Sequence, residues 1–304
     1  MMEENSIIIL KDRDIISVSG SDSASFLQNV ITNDIDKLNE SSSLYSALLT
    51  PQGKYLYDFF ILKREKNYLI DCESETAENL LSCFQKYKLN ANIEFKNITS
   101  DNSVAIITYK KFQQIQKNDV VDIVFSDPRT NLMGARIISK LEKLNLAIKK
   151  LGLKLTDQEQ YFEIAHALGL PVKGLKKLQN QIFALELNFE EIGAIRKALD
   201  KNNFKKEGID FRKGCYIGQE NTSRMKVGNK LRKRLFPLKT SNELKDGSEI
   251  FFKNKIIGKV IISKPKAFGL IKLYDPGIES FLNENLKCNS SNITLIKPYW
   301  FNQK

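Results

Sequence analysis

The 304-residue chain has a single histidine, His166, and four cysteines, none of them in a Cys-x-x-Cys spacing. A metal site built from several histidines of one chain is therefore excluded, and the cysteine spacing argues against a zinc ribbon, a thioredoxin-type site or a disulfide framework. Long apolar runs are also missing, since none approaches the ~20 residues that a membrane-spanning helix needs. Glu3 and Glu4 stand where a secretory or mitochondrial leader has basic residues, so the sequence predicts a cytoplasmic protein without membrane contact.

Excess positive charge is absent from the first half of the chain and concentrated in the second. The net charge of +11 comes entirely from residues 151–304, because acids and bases nearly balance before them. One cluster without any acid consists of Arg224, Lys226, Lys230, Arg232, Lys233 and Arg234. Such a cluster can contact a phosphate backbone or a polyanionic tail, so a weak RNA contact is one interpretation. A solvated strand face is the other, since no aromatic residues interleave the cluster.

Apolar periodicity divides the chain into an α+β region and a β-rich region. Strand and helix signals alternate through the first third and then restart, which predicts two tandem α+β units. The predicted strands are 6–10, 14–20, 43–50, 55–64, 67–73, 103–110 and 120–127, and the predicted helices are 21–38 and 75–88. After Gly228, short apolar runs alternate with glycines and show no helical period, which predicts a small barrel or sandwich. We therefore predict an α+β region over 1–228, consisting of two interleaved subdomains, and a C-terminal β-barrel domain over 229–304.

The histidine lies in a predicted helix. A capping box formed by Thr156 and Glu159 opens this helix, and Gly169 and Pro171 close it. The interpretation we favour for His166 is a helix-face residue without a chemical role.

The most unusual segment is Phe211–Glu220, FRKGCYIGQE. Two glycines flank a Cys-Tyr pair, and basic residues surround the Cys215 thiol, an environment that favours the thiolate. Cys215 is therefore a candidate reactive thiol. An inert cysteine on a glycine-rich turn is the alternative, because the composition around one cysteine is weak evidence.

The string KGCYIGQE at Lys213–Glu220 resembles the signature of the YgfZ family of folate-binding proteins. Further strings agree with this family in order: FLQNVITNDI at 26–35, LLTPQGKYLYDFFI at 48–61, DPRTNLMGARI at 127–137, ALGLP at 167–171 and IGKVIIS at 257–263. The resemblance covers nearly the whole chain. It implies the fold of the glycine-cleavage aminomethyltransferase, in which tandem ferredoxin-like α+β units form a folate-binding core and a small C-terminal β-barrel follows.

The resemblance also implies a function. The family binds tetrahydrofolate and is implicated in iron–sulfur cluster assembly or repair; its eukaryotic relatives are mitochondrial cluster-assembly factors, and a bacterial branch is linked to tRNA modification. The implied cofactor is tetrahydrofolate or another reduced folate, and the implied partners are iron–sulfur assembly or target proteins. Cys215 would be the catalytic residue and one ligand of a transient cluster shared with a partner, because a cluster generally needs four ligands.

Three departures separate this chain from the family pattern. Ala165 stands where an arginine is common, and residues 196–210 form a polar insertion that we predict to be a surface loop. Tyr57 and Asp58 occupy the place of two adjacent aspartates in the aminomethyltransferase. Losing one carboxylate removes charge where transfer of an aminomethyl carbon must handle protons, so we expect binding rather than conventional enzyme turnover.

Folate needs aromatic or apolar walls for its pterin, polar groups for its ring nitrogens and cations for its glutamates. The residues expected to supply these groups are Asn33, Tyr55, Tyr57, Asp58, Arg136, Lys213, Gly214, Tyr216, Gly218, Gln219 and Glu220. We expect a tetrahydrofolate-binding accessory protein for iron–sulfur cluster assembly or repair. The alternatives are a folate-dependent aminomethyl or methyl transferase and an RNA-binding protein associated with tRNA modification.

Overall fold

The computed structural model describes residues 2–115, 120–192 and 208–302. Within them the chain forms two five-stranded sheets and a closed six-stranded barrel. Strands β1–β10 are Ser6–Leu10, Arg13–Ser19, Ser43–Leu49, Tyr55–Arg64, Asn67–Glu73, Glu94–Asn97, Ser103–Ile107, Ile123–Ser126, Ala135–Ser139 and Lys154–Leu155. Helices α1–α6 are Ser23–Val30, Ser74–Lys88, Tyr109–Ile115, Leu141–Lys150, Gln158–Ala167 and Gln219–Val227. None of the helices described is long and apolar enough to cross a membrane.

The first strand of the chain belongs to a sheet whose other strands all come after those of the second sheet in the sequence. Sheet I has the order β10-β1-β7-β9-β8, and sheet II has the order β3-β4-β5-β2-β6. Strand β1 pairs with β7 and β10, whereas β2 pairs with β5 and β6, so two strands that are adjacent in sequence belong to different sheets. The two α+β units are therefore interleaved rather than simply consecutive.

Each sheet buries one face in a shared central core and the other face against helices. In sheet I, Ile106 belongs to the central core, and Ile107 belongs to the cluster that contains the apolar side chains of α3 and α4. In sheet II, Phe60 belongs to the central core, whereas Phe59 packs with α1 and α2. This arrangement follows from the two-residue period of strand side chains, and it makes the space between the sheets the centre of the molecule.

The barrel packs against the central core. Strands β11–β16 are Lys233–Thr240, Glu249–Phe252, Lys255–Ile262, Phe268–Lys272, Leu286–Cys288 and Ser291–Leu295. Phe236 and Ile271 fill the barrel interior, whereas Leu235 and Leu270 on the same strands join the core between the sheets. The predicted α+β fold with a C-terminal barrel is therefore confirmed. The predicted division at residues 228 and 229 into separate domains stays a prediction, since the core crosses it.

The helix predicted over 21–38 is shorter than expected. It ends at Val30, and Ile31 is already extended. The backbone N–H of Thr32 donates to the carbonyl of Ala47 at 2.9 Å, so the chain leaves the helix by attaching to strand β3. A short 3₁₀ turn, Ile35–Lys37, replaces the rest of the predicted helix.

The cap of the histidine-bearing helix also differs from the prediction. Asp157 is the N-cap of α5, and its side chain accepts a hydrogen bond from the backbone N–H of Glu159 at 2.7 Å. The predicted Thr156 cap is wrong because the next residue is an equally good cap. His166 lies on the barrel side, where Nε2 is 2.8 Å from the carbonyl oxygen of Ala267. This contact connects α5 to the residue before strand β14.

The predicted insertion 196–210 lies outside the described residues up to 207. Its last three residues, Gly208–Asp210, are described and are buried. Gly208 donates to the carbonyl of Phe189 at 2.9 Å and accepts from the Thr32 hydroxyl at 2.7 Å. The prediction placed these three residues in a surface loop. It is wrong for them, because they are buried and hydrogen-bonded to the core.

Candidate functional site

Cys215 is presented to solvent by a loop that is buried on both sides of it. Gly214 and Cys215 are exposed, while Lys213 before them and Tyr216 after them are buried. Cys72 and Cys288 are buried and Cys83 is half-buried, so Cys215 alone among the four cysteines is exposed. The segment Lys213–Glu220 is called the anchored loop below. Its geometry makes the Cys215 thiol available to another molecule.

Lys213 fastens the anchored loop to the end of helix α1. Its ammonium group donates to the carbonyl oxygens of Gln28, Ile31 and Asn33 at 2.7, 2.7 and 2.8 Å. These carbonyls are left without helical partners where α1 ends, and the lysine satisfies them. Burial lowers the pKa of Lys213 to about 8. The C-terminal end of α1 is far from the cysteine motif in sequence, but it holds the motif in place through Lys213.

Gly218 lets the anchored loop approach the hairpin between β3 and β4. Its φ is +83°, and a Cβ built on it would lie 2.5 Å from the carbonyl oxygen of Thr50 and 3.0 Å from the Cβ of Leu49. Helix α6 starts at the next residue. Leu49 is the cross-strand partner of Tyr55, which connects the loop to the next part of the site.

Asp58 is the centre of a hydrogen-bonded group on the core side of sheet II. Its carboxylate accepts from the hydroxyls of Tyr45 at 2.8 Å and Tyr55 at 2.5 Å. Burial, followed by the charge of Asp58, raises the pKa of both phenols, which keeps them as donors. Phe189 stacks on Tyr45 with ring centroids 5.2 Å apart, and it lies 6.2 Å from the Tyr55 ring. The result is a half-buried carboxylate bordered by aromatic rings.

A buried ionic cluster joins the two sheets beside this carboxylate. The inter-sheet cluster consists of Arg13 and Asp71 of sheet II, Arg136 of sheet I, and Asp127 and Arg129 of the segment between β8 and β9. Asp71 binds two guanidinium groups, with N–O distances of 2.6 Å to Arg13 and 2.7 Å to Arg136. Burial alone would raise the pKa of Asp127, but the Arg129 guanidinium outweighs it and lowers that pKa. Asp71 and Asp127 thus tie the arginines of both sheets together in the core.

The structure brings some of the predicted folate contacts together and separates others. Asn33 lies below Lys213, and Tyr55 binds Asp58. Tyr57 packs on the opposite face of sheet II, among the side chains of α1 and α2. Arg136 is wholly buried in the inter-sheet cluster. The predicted residues thus lie on both faces of sheet II and at different depths in the core.

The remaining predicted contacts are at the start of α6. Gln219 is half-buried, whereas Glu220 is exposed and pairs with Arg224 four residues on. The sequence missed two residues of the site, Tyr45 and Glu73. Both could have been found from the predicted strands. Antiparallel pairing places Tyr45 opposite Phe60 and Glu73 opposite Asp58.

The cation cluster from Arg224 to Arg234 is partly neutralised. Its ion pairs are Arg224 with Glu220, Lys226 with Glu190 and Arg234 with Glu191, at 2.6, 3.0 and 2.5 Å. Arg234 is also buried. The cluster spans a helix and a strand instead of one strand face, and the structure gives no support to an RNA contact.

Two orphaned polar atoms bear on whether a folate fits here. The hydroxyl of Tyr216 and the Oε1 atom of Glu73 are buried and have no hydrogen-bond partner in the part of the chain that the structure describes. A pteridine ring carries both donors and acceptors, so it has partners for both kinds of atom. No group of three or more His, Cys, Asp or Glu side chains within the described ranges could hold a metal ion.

Comparison with known proteins identifies relatives. Residues 11–108 match the family GCV_T, the GCVT N-terminal domain. The chain is 28% identical over 269 residues to the Iron-sulfur cluster assembly factor IBA57 homolog, mitochondrial, of Dictyostelium discoideum, covering 76% of this chain and 62% of that protein. It is 30% identical over 237 residues to the protein of the same name from Pyricularia oryzae, covering 75% and 56%. The chain thus spans less than two thirds of the length of these relatives.

Among solved structures, the glycine cleavage system aminomethyltransferase T from Bartonella henselae shares the fold. The TM-score is 0.69 at 12% sequence identity, and the match covers 98% of this chain and 87% of that chain. The names of the curated relatives place them in mitochondria, which contradicts the cytoplasmic location predicted from the N-terminus. The chain has an aminomethyltransferase-like fold, with homologues named as iron–sulfur cluster assembly factors.

Proposed function

We propose that this protein is a folate-binding accessory factor for iron–sulfur cluster assembly or repair that acts through Cys215. The observation that carries the proposal is the exposed thiol on the anchored loop, between the buried Lys213 and Tyr216, in an aminomethyltransferase-like fold. The names of the homologues support the cluster-assembly role, and the mitochondrial location in those names is the location we propose.

The folate half of the proposal rests on the group around Asp58. Tyr45 and Tyr55 each donate a hydrogen bond to one oxygen of the Asp58 carboxyl group and hold it in one orientation. A fixed carboxylate beside aromatic rings suits a planar ring that carries N–H donors, because charge-assisted hydrogen bonds give orientation and the rings give contact area. A reduced folate, when bound, would supply the one-carbon or redox chemistry of its pteridine.

The cluster half of the proposal rests on accessibility. One thiol does not hold an iron–sulfur cluster, which generally needs four ligands, so a partner protein or a small thiol must supply the others. An exposed cysteine between two fastened residues meets that requirement, since the loop stays in place while a second molecule approaches. Iron and sulfide are cargo in this account.

Calorimetry with tetrahydrofolate and its polyglutamates tests folate binding. We expect Tyr55→Phe to weaken the affinity at least about fivefold, because the hydrogen bond that positions Asp58 is worth roughly 1 kcal/mol or more. Tyr68→Phe is the matched control, since Tyr68 lies on the neighbouring strand β5 and packs on the opposite face of the same sheet. No binding by the unsubstituted protein up to millimolar folate, or equal losses in the two variants, would remove the folate site from the proposal.

A folate-dependent one-carbon transferase is the second candidate. The observation in its favour is that Asp58, the retained member of the aspartate pair, is a half-buried carboxylate with two fixed donors. A positioned carboxylate of this kind can act as a general base. Single-turnover assays with tetrahydrofolate and an aminomethyl donor separate the candidates, because an accessory factor binds folate without converting it.

A further inference from the structure

Glu73 and Asp58 face each other across neighbouring strands of sheet II. The registered pair of Phe59 and Cys72 between β4 and β5 places Asp58 opposite Glu73, one residue further along. Residues paired in this way lie on the same sheet face with Cβ atoms roughly 4.5–5.5 Å apart. Arg13 is the registered partner of Glu73 on β2. Asp58, Glu73 and Arg13 therefore form one row across three strands.

Glu73 is buried and forms no ion pair with a cation among the described residues. Only 8% of the residue is exposed, and no described residue donates a hydrogen bond to its Oε1 atom. Arg13 is engaged elsewhere, since Nε lies 2.6 Å from Oδ1 of Asp71 and Nη2 donates to the Asp71 carbonyl. An ionised carboxylate is strongly disfavoured in such a place.

The groups around Glu73 are mostly acidic. They are Asp71 on its own strand, Asp58 and Tyr55 on β4, Arg13 on β2, Glu75 on α2 and the backbone N–H of Gly174 on the covering segment. The nearby lysines are also taken, Lys176 by Glu75 and Lys173 by Asp12. Burial, and then the charge of Asp58, raises the pKa of Glu73 to about 7.

We infer that Glu73 is the second carboxyl group of the folate site, and that in its protonated form it donates a hydrogen bond to an acceptor atom of the pteridine ring of a reduced folate. This inference rests on the proposed function. The protonated O–H of Glu73 is a donor and the carboxyl oxygens of Asp58 are acceptors, so together they match a ring that presents an acceptor beside its N–H donors. Glu73 thereby supplies a second carboxyl group beside Asp58, from the neighbouring strand on the same face of the sheet.

The test compares Glu73→Gln with the unsubstituted protein by calorimetry with tetrahydrofolate at pH 6 and pH 8. Glutamine presents an N–H donor at every pH and mimics the protonated acid. The affinity of the unsubstituted protein should fall about tenfold between these pH values, with proton uptake from the buffer at pH 8, because the site must be protonated to bind. Glu73→Gln should bind equally at both pH values and without proton uptake. Glu75→Gln, an exposed neighbour, is the control.

The outcomes separate this inference from the proposed function. If the unsubstituted protein binds no folate, the proposed function fails. If it binds folate and the pH dependence survives in Glu73→Gln, the inference fails and the proposed function stands. Should Glu73→Gln not fold, infrared difference spectra of the unsubstituted protein with ¹³C-carboxyl glutamate decide the question. A protonated glutamic acid band at pH 6 that shifts on folate binding supports the inference, and its absence overturns it.

Discussion

Asp71 and Glu73 lie two residues apart on one face of a strand, yet their electrostatic surroundings are opposite. Asp71 binds two arginines within 2.7 Å, whereas Glu73 forms no ion pair with any residue that the structure describes. Asp71 ties the two sheets together. The second is a buried acid whose protonation changes near neutral pH.

Glu73 makes stability depend on pH. Its folded pKa of about 7 lies above the ordinary 4.5, so the native protein binds more protons than the unfolded chain between these values. The resulting stabilisation is complete below pH 4.5 and is lost as pH rises through 7. Glu73→Gln should remove this loss, about 1–3 kcal/mol, from the free energy of unfolding. Urea titrations at pH 5, 6, 7 and 8 measure it, and parallel pH profiles for the two proteins would contradict the assignment.

Asp71→Asn should be strongly destabilising. The change leaves Arg13 and Arg136 without their common carboxylate, and removing one partner of a buried ion pair typically costs about 3–5 kcal/mol. Glu243→Gln is the control, because the Glu243–Lys264 pair is largely exposed and such pairs contribute about 1 kcal/mol or less. Chemical denaturation of both variants checks the difference. Equal losses would mean that the inter-sheet pair does not hold the sheets together.

At the scale of single residues, the sequence predicts which side chains are candidates for a chemical role better than it predicts which side chains contact each other. Asp58 and Cys215 could be predicted from the motifs that contain them. The opposite orientations of Tyr57 and Asp58 could also be predicted, since neighbours in a strand point to opposite faces. The ion pair between Asp71 and Arg136 could not, because it depends on how two sheets stack and local periodicity carries no record of that.

Among the elements, the anchored loop is the one on which the proposal depends. Gly218 in this loop has a positive φ and no room for a Cβ, whereas a Cβ on Gly214 would meet nothing within 4 Å. Gly218→Ala should therefore destabilise the protein by at least about 1–3 kcal/mol, and Gly214→Ala should change stability by no more than about 0.5 kcal/mol. Thermal unfolding of the matched pair measures this. If both alanines are tolerated equally, the loop is not fastened at Gly218.

Elements were predictable where one signal dominated. Strands β4 and β5 match their predicted ranges because the alternation is strong and the two-residue turn at Glu65–Lys66 is well marked. The end of α1 was not predictable, since the competing hydrogen bond from Thr32 goes to a strand that follows later in the chain. The prediction of an element's boundary fails where a hydrogen bond to a residue distant in sequence determines that boundary.

The whole molecule places the barrel, both sheets and the anchored loop around one core. Leu235 of the barrel and Tyr216 of the loop belong to the same buried cluster as Phe60 and Phe125 of the two sheets. The α+β region and the barrel were predictable, because mixed helix and strand signals give way after Gly228 to short apolar runs without a helical period. Their shared core was not, because each apolar residue looks the same in sequence whichever layer it fills.

The central claim is that the exposed Cys215 carries the function, and one comparison tests it most directly. Cys215→Ser and Cys83→Ser, each shown to fold by thermal unfolding, are scored for restoring iron–sulfur enzyme activity in cells that lack the protein. Cys83 is the matched control because it is half-buried among the side chains of sheet II and α2. We predict that Cys83→Ser restores the activity and that Cys215→Ser does not. Full restoration by a well-folded Cys215→Ser would contradict the account.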